Sequence, residues 1–427
     1  MHDIRRVRRD AEELRLAIGR KGYEADTAAA LELDTRWRAL VTEGDRLKAE
    51  LNRASMAIGA AKKAGRDAQE EIEAARRTRE RIAEVDEEKR VIQQQLRELL
   101  LSWPAEPDPD VPEGLTEAEN VIFRDSGDLP EFDFPLKDHL ELAEALGILD
   151  MERGAKITGS AWPLYMGGGA ALERALINFM LDLHTREHGY TELFPPFVVN
   201  EDSALGTGQL PKLAEDMYRI DREGFYLIPT SEVPVTNMHR GEVLSAKQLP
   251  LKYAAYSACF RREAGSYGAE TRGLLRVHQF NKVELVQITE PNDSEAAQQE
   301  ILQQALRVLD LLKLPYRVVE LCAGELSFAA AKCFDIEVWA PGTGEWLEAS
   351  SVSNFRDFQA RRMNLRYRPE GGGKPAHPHT LNGSGLATSR LMVALLENYQ
   401  TPEGRIRVPG VLQPYLGGMD QLREVRR

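Results

Sequence analysis

The sequence predicts an α+β fold in which an N-terminal antiparallel helical hairpin precedes an antiparallel sheet flanked by helices. Three observations support this prediction: a long N-terminal segment without proline and with helical hydrophobic spacing, a proline-rich break after it, and two strand-like runs joined by a long polar loop. Strands that pair across such a loop are antiparallel, and the later helical segments follow no regular βαβ rhythm. The predicted domains are residues 1–102, a linker at 103–114, and residues 115–427.

The segment without proline, Ala28–Leu101, predicts the helical hairpin. Its apolar residues form two stripes at helical spacing, namely Leu33, Trp37, Leu40, Leu47, Leu51 and Ile58, then Ile72, Ile82, Val85, Ile92, Leu96 and Leu99. The stretch between the stripes contains Gly59 and Gly65 and predicts a chain reversal. Two amphipathic helices joined in this way pair as an antiparallel coiled coil.

Taken alone, such a hairpin favours a plain dimerisation coil or a spacer. Basic residues near and beyond the predicted turn favour an RNA contact instead, and they are Lys62, Lys63, Arg66, Arg76, Arg77, Arg79 and Arg81. Between Ala28 and Leu101 acidic and basic residues are about balanced, so most of the excess negative charge lies elsewhere. We therefore expect an RNA partner on this arm and not on the acidic body.

The composition argues against several classes of protein. The 427 residues carry a formal net charge of −13, which is unfavourable for non-specific binding to DNA over the whole surface. No run of about 18 apolar residues occurs, and the basic N-terminus lacks an apolar signal core, so we expect no membrane insertion and no secretion. Cys259, Cys322 and Cys333 match no zinc pattern, so the prediction is free buried thiols, no zinc and a cytoplasmic location.

The segment Phe260–Glu284 carries the most informative pattern in the chain. Two strand-like runs, Tyr253–Arg262 and Leu274–Val286, flank a polar loop that contains Gly265, Ser266, Gly268, Glu270 and Gly273. The ends of the runs carry the charged residues Arg261, Glu263, Arg272, Arg276 and Glu284. Arginine suits phosphate because its planar fork donates bidentate hydrogen bonds. The segment therefore predicts a phosphate-binding sheet.

A phosphate-binding loop of the Walker type is not present in the sequence. The glycine cluster Gly167–Gly169 is too weak a signal for such a loop and is interpreted as a turn. An ATP site would therefore be built from side chains on the sheet.

Five ordered motifs resemble those of the bacterial-type seryl-tRNA synthetases, which are class II aminoacyl-tRNA synthetases. Phe260–Glu284 resembles motif 2, His188–Asn200 resembles motif 1, and Leu381–Gln400 resembles motif 3. Pro229–Pro234 is similar to the serine-binding string of the family, and Leu347–Arg362 to the stretch before motif 3. With the N-terminal arm, the resemblance covers nearly the whole chain. It implies the class II sheet and a ligase that joins serine to tRNA.

The resemblance implies that L-serine and ATP first give seryl-adenylate and pyrophosphate. Arg261 matches the arginine on the α-phosphate and Arg390 the arginine on the γ-phosphate, so both are candidate catalytic residues. Glu263 matches the residue on the adenine or metal side of ATP, and Phe280 the ring on which adenine stacks. Little covalent work falls to such a protein, so positioning and electrostatics are expected to dominate.

The same resemblance implies a magnesium ion that bridges the phosphates. Glu348 and Ser351 match the positions that hold it, and Mg²⁺ commonly takes only one or two protein oxygens beside substrate phosphates. The full set of implied ATP-binding residues is Arg261, Arg262, Glu263, Val277, Phe280, Glu348, Ala349, Ser350, Ser351 and Arg390.

The implied serine-binding residues lie in motifs 2 and 3 and in the serine-binding string. They are Thr230, Ser231, Glu232, Arg261, Glu284, Asn382 and Ser384. Either Glu284 or Glu232 can anchor the α-ammonium group, while the second carboxylate and small polar groups take the hydroxyl group. A site that hydrogen-bonds a hydroxyl group rejects the deoxy analogue by a factor on the order of 10⁴, so alanine should be refused.

The resemblance also implies partners. Pro196 in motif 1 is either a simple strand stop or, as in the family, a residue of a homodimer interface beside the active site. The implied RNA substrates are tRNA(Ser) and also tRNA(Sec), whose long variable arm the helical hairpin would grip. The candidate contacts are Lys62, Lys63, Arg66, Arg76 and Arg77.

Two positions depart from the usual family pattern. The chain has Gly324-Glu325 where the family usually has Gly-Asp, and Val352 where a cysteine usually lies between two serines. These departures fit either neutral drift or a specialised second copy.

Two other functions are compatible with parts of the sequence. One is a synthetase paralogue that loads an amino acid onto a carrier protein, although such paralogues tend to lack the helical arm. The other is a non-catalytic coiled-coil adaptor, against which Arg261, Glu348 and Arg390 all weigh.

Overall fold

The computed structural model describes residues 1–264 and 272–422 of the chain. Its contacts divide into two units, Met1–Pro104 and Ala105–Arg427, and each has a hydrophobic core. Four of the predicted loop residues lie outside the described residues, namely Gly265, Ser266, Gly268 and Glu270. Within the described ranges, no helix is both long enough and apolar enough to cross a membrane.

The first unit is built from the helices α1 (Ile4–Gly19), α2 (Thr27–Lys63) and α3 (Gln69–Leu101). Asp26 is the N-cap of α2, because its side chain accepts a hydrogen bond from the backbone N–H of Ala29 at 2.9 Å. The chain reverses at Gly65, whose φ of +67° is readily adopted only by glycine. The expectation that Gly59 takes part in the reversal is wrong, since this residue lies inside α2.

Helices α2 and α3 pack against each other along an apolar seam. Leu47 of α2 and Val85 and Ile92 of α3 are buried there. An ion pair joins Arg81 Nε of α3 to Glu43 Oε1 of α2 at 3.0 Å. Apolar packing and charge pairing together stabilise the hairpin, as in other coiled coils.

The second unit contains both helices and strands. The helices are α4 (His139–Leu146), α5 (Met151–Thr158), α6 (Gly167–Arg186), α7 (Glu201–Thr207), α8 (Glu232–Asn237), α9 (Ser294–Leu312), α10 (Phe358–Met363) and α11 (Thr388–Asn398). The strands are β1 (Val121–Asp125), β2 (Thr191–Leu193), β3 (Val198–Asn200), β4 (Arg219–Ile220), β5 (Phe225–Leu227), β6 (Val243–Ser245), β7 (Leu251–Phe260), β8 (Gln279–Thr289), β9 (Tyr316–Glu320), β10 (Lys332–Ala340), β11 (Glu345–Asn354), β12 (Arg366–Arg368), β13 (His379–Ala387), β14 (Ile406–Arg407) and β15 (Gln421–Leu422).

The main sheet has eight strands in the order β1-β9-β10-β11-β13-β8-β7-β2. Neighbouring strands are antiparallel except β2 and β7, which run parallel. The two runs predicted around motif 2 form β7 and β8, which pair from Leu251 with Ile288 to Phe260 with Gln279. The predicted α+β class, with an antiparallel sheet and flanking helices, is confirmed.

Helices α6 and α9 pack on one face of this sheet, and two glycines of β13 permit the close approach. A Cβ atom at Gly383 would lie 2.3 Å from Ile301 Cγ2 of α9, and one at Gly385 would lie 2.8 Å from His184 Nε2 of α6. Because successive side chains of a strand alternate between faces, Asn382 and Ser384 point to the opposite face. That face carries the candidate site.

Candidate active site

A cavity of about 520 Å³ opens on the face of the sheet opposite α6 and α9. It is lined by most of the residues that the sequence predicts to bind ATP and by most of those that it predicts to bind serine. These are Thr230, Glu232, Arg261, Glu263, Val277, Phe280, Glu348, Ala349, Ser350, Ser351, Asn382, Ser384 and Arg390. The fold therefore brings together residues up to 160 positions apart in the sequence.

Strand alternation explains why these side chains converge. On β8, Phe280 and Lys282 face the cavity, whereas Val283 and Leu285 belong to the core beneath the sheet. Ser384 of β13 lies opposite Glu284 of β8 in register, so both strands present polar groups at the same level.

Three of the predicted residues do not line the cavity. The Arg262 side chain is exposed, and its backbone N–H donates to Asp216 O at 2.9 Å. Ser231 is buried, and its Oγ donates to Ser257 Oγ at 2.5 Å. Glu284 is buried with no exposed surface and is not among the residues that line the cavity.

The two candidate catalytic arginines are held in different ways. Arg261 places its guanidinium carbon 5.1 Å from the centroid of the Phe280 ring, a cation–π contact. Arg390 donates from Nη1 to the carbonyl oxygen of Glu348 at 2.8 Å and from Nε to Leu275 O at 3.2 Å. Both cations stand at the cavity wall, where they can meet an anionic ligand.

Glu263 has a backbone φ of 50°, which is uncommon for a residue with a side chain. Its carboxylate accepts a hydrogen bond from Arg276 Nε at 2.6 Å. Strained backbone of this kind persists only where surrounding contacts hold it, and it is frequent at functional sites. The next residue is tied down as well, because Ala264 N–H donates to Asp216 Oδ1 at 3.0 Å.

Glu348 and Ser351 on β11 form a pair of oxygen donors that fits a magnesium ion. Ser351 Oγ donates to Glu348 Oε1 at 3.3 Å, and Glu348 Oε2 lies 3.4 Å from Arg390 Nη1. One carboxylate and one hydroxyl group are the hard ligands that Mg²⁺ accepts beside substrate phosphates. Asp335 lies opposite Ser351 on β10, and its burial, with the Glu348 charge second, raises the pKa of its carboxyl group.

A buried polar network forms the other end of the cavity. Asn382 Nδ2 donates to Glu232 Oε2 at 3.1 Å and to Glu284 Oε1 at 2.8 Å, so one amide bridges the two carboxylates. Gln359 Nε2 donates to Glu232 Oε1 at 2.6 Å. Burial, with the Glu284 charge second, raises the pKa of Glu232 to about 7.

Sequence reasoning missed Lys282 and Gln359. Lys282 Nζ donates to Thr230 Oγ1 at 2.9 Å and forms an ion pair with Glu284 Oε2 at 2.6 Å. The alternation of Phe280, Lys282 and Glu284 along one strand was a usable signal for it. Gln359 carried no such signal, because its contact with Glu232 spans 127 positions and depends on tertiary packing.

Residues 217–399 match the family model described as tRNA synthetase class II core domain (G, H, P, S and T). Residues 1–107 match the model described as Seryl-tRNA synthetase N-terminal domain. A serine–tRNA ligase of Chlorobium phaeobacteroides (strain BS1) is 54% identical over 422 residues, which are 98% of this chain and 99% of that protein.

The chain belongs to the seryl-tRNA synthetase family.

Solved structures of seryl-tRNA synthetases agree with this assignment. The Pyrococcus horikoshii enzyme complexed with ATP has a TM-score of 0.91 and 36% identity, with 100% of both chains covered. The cytoplasmic enzyme of Naegleria fowleri in complex with AMP has a TM-score of 0.86 and 30% identity, with 100% of this chain and 99% of that chain covered. The activity predicted from the motifs, ligation of serine to tRNA, is therefore confirmed.

The residues predicted for tRNA contact and for dimer contact lie outside the cavity. Lys62, Lys63, Arg66, Arg76 and Arg77 are all exposed around the α2–α3 turn. In the second unit, Pro196 is exposed between β2 and β3, two residues beyond Phe194.

Proposed function

We propose that the cavity is the place where L-serine and ATP react to give seryl-adenylate and pyrophosphate, before serine passes to the 3′ end of tRNA. The observation that carries this proposal is the meeting of Arg261 and Arg390 with the buried carboxylate of Glu232 in one cavity. The Asn382 amide on the cavity wall joins Glu232 to a second buried carboxylate, that of Glu284. A polyphosphate is complementary to the arginines and an α-ammonium group to the carboxylates. The related structures that hold ATP and AMP support a nucleotide in this cavity.

The proposed activation step relies on charge and position. Arg261 offsets the charge at the α-phosphate while the serine carboxylate attacks, and Arg390 holds the γ-phosphate of the departing pyrophosphate. The adenine ring stacks on Phe280, and Glu263 lies at the same end of the nucleotide. Mg²⁺ held by Glu348 and Ser351 would supply further neutralisation of the phosphates.

The serine end of the proposed site is selective because it is buried and polar. Glu232 and Asn382 line the cavity with Thr230 and Ser384, all of them less than 10% exposed. A ligand without a hydroxyl group would leave such groups unpaired, which strongly disfavours alanine.

The first unit is proposed to bind tRNA, with residues 1–102 as the tRNA-binding domain, 103–114 as linker and 115–427 as the catalytic domain. The match of residues 1–107 to the N-terminal domain of the family supports this division. The exposed basic residues at the tip of the hairpin support contact with the phosphates of the long variable arm. The proposed RNA substrates are tRNA(Ser) and tRNA(Sec).

A homodimer is proposed from the surface around motif 1. Phe194 directly follows the edge strand β2 and is 76% exposed, and Pro196 lies two residues further on. A large exposed aromatic side chain beside a short edge strand is favourable for burial in an interface. A cytoplasmic location completes the proposal, in line with three free cysteines.

Serine-dependent exchange of pyrophosphate into ATP tests the proposed activation step. The purified chain should exchange with serine and Mg²⁺ and should lose exchange when serine is replaced by alanine. Charging of a tRNA with a long variable arm then tests the transfer step. Exchange without charging would favour loading of a carrier protein, and no exchange at all would favour the coiled-coil adaptor.

A further inference from the structure

Among the described residues of the serine end, Lys282 forms an ion pair with one of the two buried carboxylates, that of Glu284. Its side chain is 7% exposed, and its Nζ lies 2.6 Å from Glu284 Oε2 and 2.9 Å from Thr230 Oγ1. Lys282 lines the cavity, whereas Glu284 does not. The ammonium group of the protein itself therefore occupies the position on Glu284 that a substrate ammonium group would otherwise take.

Glu232 has a different set of partners. In the part of the chain that the structure describes, its hydrogen bonds come from the neutral amides of Gln359 and Asn382. Two further charged or titratable groups, Arg261 and Cys259, interact electrostatically with this cluster from the β7 side. Apart from Arg261, which is proposed to meet the α-phosphate, the serine end thus holds two carboxylates and one paired cation. It therefore lacks one positive charge.

We propose that Lys282 is a positioning residue of the serine site, an internal counter-ion that neutralises Glu284, holds it beside Thr230, and leaves Glu232 to meet the ammonium group of serine. This inference rests on the proposed serine site. It also decides between the two carboxylates that the sequence left open. The ammonium group pairs with Glu232, and the hydroxyl group is received at Thr230 and Glu284.

The physical reason is charge balance in a buried site. Two carboxylates that share one amide donor repel each other and cannot both stay ionised without a cation. Lys282 removes this conflict for Glu284, so the pocket presents a single negative charge to a ligand with a single ammonium group. The direction of the Glu232 pKa, raised by burial and then by Glu284, agrees with this arrangement.

Lys282→Met tests the proposal, because methionine keeps the apolar stem and removes the charge. We expect kcat/KM for serine in pyrophosphate exchange at neutral pH to fall by about tenfold or more, since an unpaired buried charge remains. The KM for ATP should change by less than about twofold. The acid limb of the pH profile of kcat/KM for serine should move upward by about one unit, as the two carboxylates come to share a proton.

Two further variants separate this role from packing. Lys252→Met removes a lysine that pairs with Glu300 at 2.6 Å outside the cavity, and it should leave the kinetics and the pH profile unchanged. The double variant Lys282→Met with Glu284→Gln removes both charges, so its acid limb should return to the parental pH while kcat/KM for serine stays low.

Three results would overturn the inference. The first is a parental pH profile together with a parental serine KM in Lys282→Met. The second is a lower serine KM in that variant, which would mean that Lys282 competes with the substrate, and the third is an acid limb that stays shifted in the double variant. Each of these leaves the proposed function standing as long as the parent chain shows serine-dependent exchange. Absence of that exchange in the parent would instead refute the proposed function.

Discussion

The guanidinium carbon of Arg261 lies 5.1 Å from the centroid of the Phe280 ring. The side chain that is proposed to bind the α-phosphate therefore lies against the ring on which adenine is expected to stack. A cation–π contact of a partly exposed pair is worth only about 0.5–1 kcal/mol, so a nucleotide can displace it at small cost. We infer that ATP binding moves Arg261 from the ring to the phosphates.

Arg261→Ala should abolish most of the pyrophosphate exchange. Loss of one donor that stabilises developing charge commonly lowers the rate by roughly 10² to 10³. Circular dichroism and size-exclusion chromatography should show an unchanged fold. Arg222→Ala, whose side chain is 93% exposed, is the matched control and should exchange at the parental rate. Exchange by Arg261→Ala within about threefold of the parent, a loss far smaller than that range, would refute the assignment.

Phe280→Ala should raise the KM for ATP and leave the KM for serine near the parental value. Stacking of a base on an aromatic side chain contributes about 1–3 kcal/mol, which corresponds to roughly a five- to 150-fold change. Phe280→Tyr keeps the ring and should keep the parental KM for ATP. Steady-state exchange at varied ATP concentration measures both values, and equal losses for the two substrates would argue against stacking.

Glu232→Gln should remove the acid limb from the pH profile for serine. Burial and the Glu284 charge raise the pKa of Glu232 to about 7, so the carboxyl group is largely neutral below that pH and charged above it. A neutral carboxyl group pairs poorly with an ammonium group, so parental kcat/KM for serine should rise between about pH 6 and about pH 8.

The glutamine variant carries no charge at any pH, so its profile should be flat over this range and its serine KM about tenfold higher or more. Exchange at varied serine concentration across the pH range provides the test. An unchanged limb in Glu232→Gln would assign the titration to another group.

The sequence predicted those features of the site that depend on local pattern. The resemblance of Phe260–Glu284 to motif 2 implies that Arg261 and Phe280 belong to the site, and both line the cavity. The contact of Gln359 with Glu232 and the bridge from Asn382 to two carboxylates depend on how α8, α10 and β13 meet, which no local pattern specifies.

In the helical arm, too, local sequence pattern predicts the helices but not every detail of the turn between them. The two apolar stripes predict both helices, but the predicted reversal wrongly includes Gly59, which lies inside α2. A single glycine costs a helix only about 1 kcal/mol, and the packing of the hairpin outweighs that cost. Gly65 adopts a positive φ and therefore ends the helix, a conformation that composition alone does not reveal.

Glu397→Ala should destabilise the second unit. The carboxylate is fully buried, and it accepts hydrogen bonds from the backbone N–H groups of His139 at 3.0 Å, Gly342 at 2.8 Å and Thr343 at 3.0 Å. Each buried donor left unpaired costs about 1–3 kcal/mol, so the free energy of unfolding should fall by at least about 3 kcal/mol.

Urea unfolding measures this loss. Glu144→Ala is the control, because Glu144 lies on the exposed face of α4 near the same contacts and should change the free energy of unfolding by no more than about 0.5 kcal/mol. Equal stabilities of the two variants would show that the backbone donors find other partners.

A shortened hairpin should separate activation from transfer. Gly44 of α2 lies against Val85 of α3, so residues 49–80 can be replaced by a short glycine linker without disturbing the base of the hairpin. Pyrophosphate exchange should stay near the parental rate, because the residues proposed to bind ATP and serine all lie beyond residue 229. Charging of tRNA should fall steeply. A parallel loss of exchange would mean that the arm supports catalysis directly.

The salt dependence of tRNA binding decides whether the tip of the arm contacts phosphates. Replacing Lys62, Lys63 and Arg66 by glutamine removes three exposed cations. Each phosphate contact contributes roughly 0.7–0.9 to the slope of log affinity against log salt, so the slope should become shallower by about two to three units. The control replaces Glu70, Glu71 and Glu73, exposed acidic residues at the same tip, and should not make the slope shallower. A rigid spacer predicts the parental slope for both variants, because a spacer neutralises no phosphate.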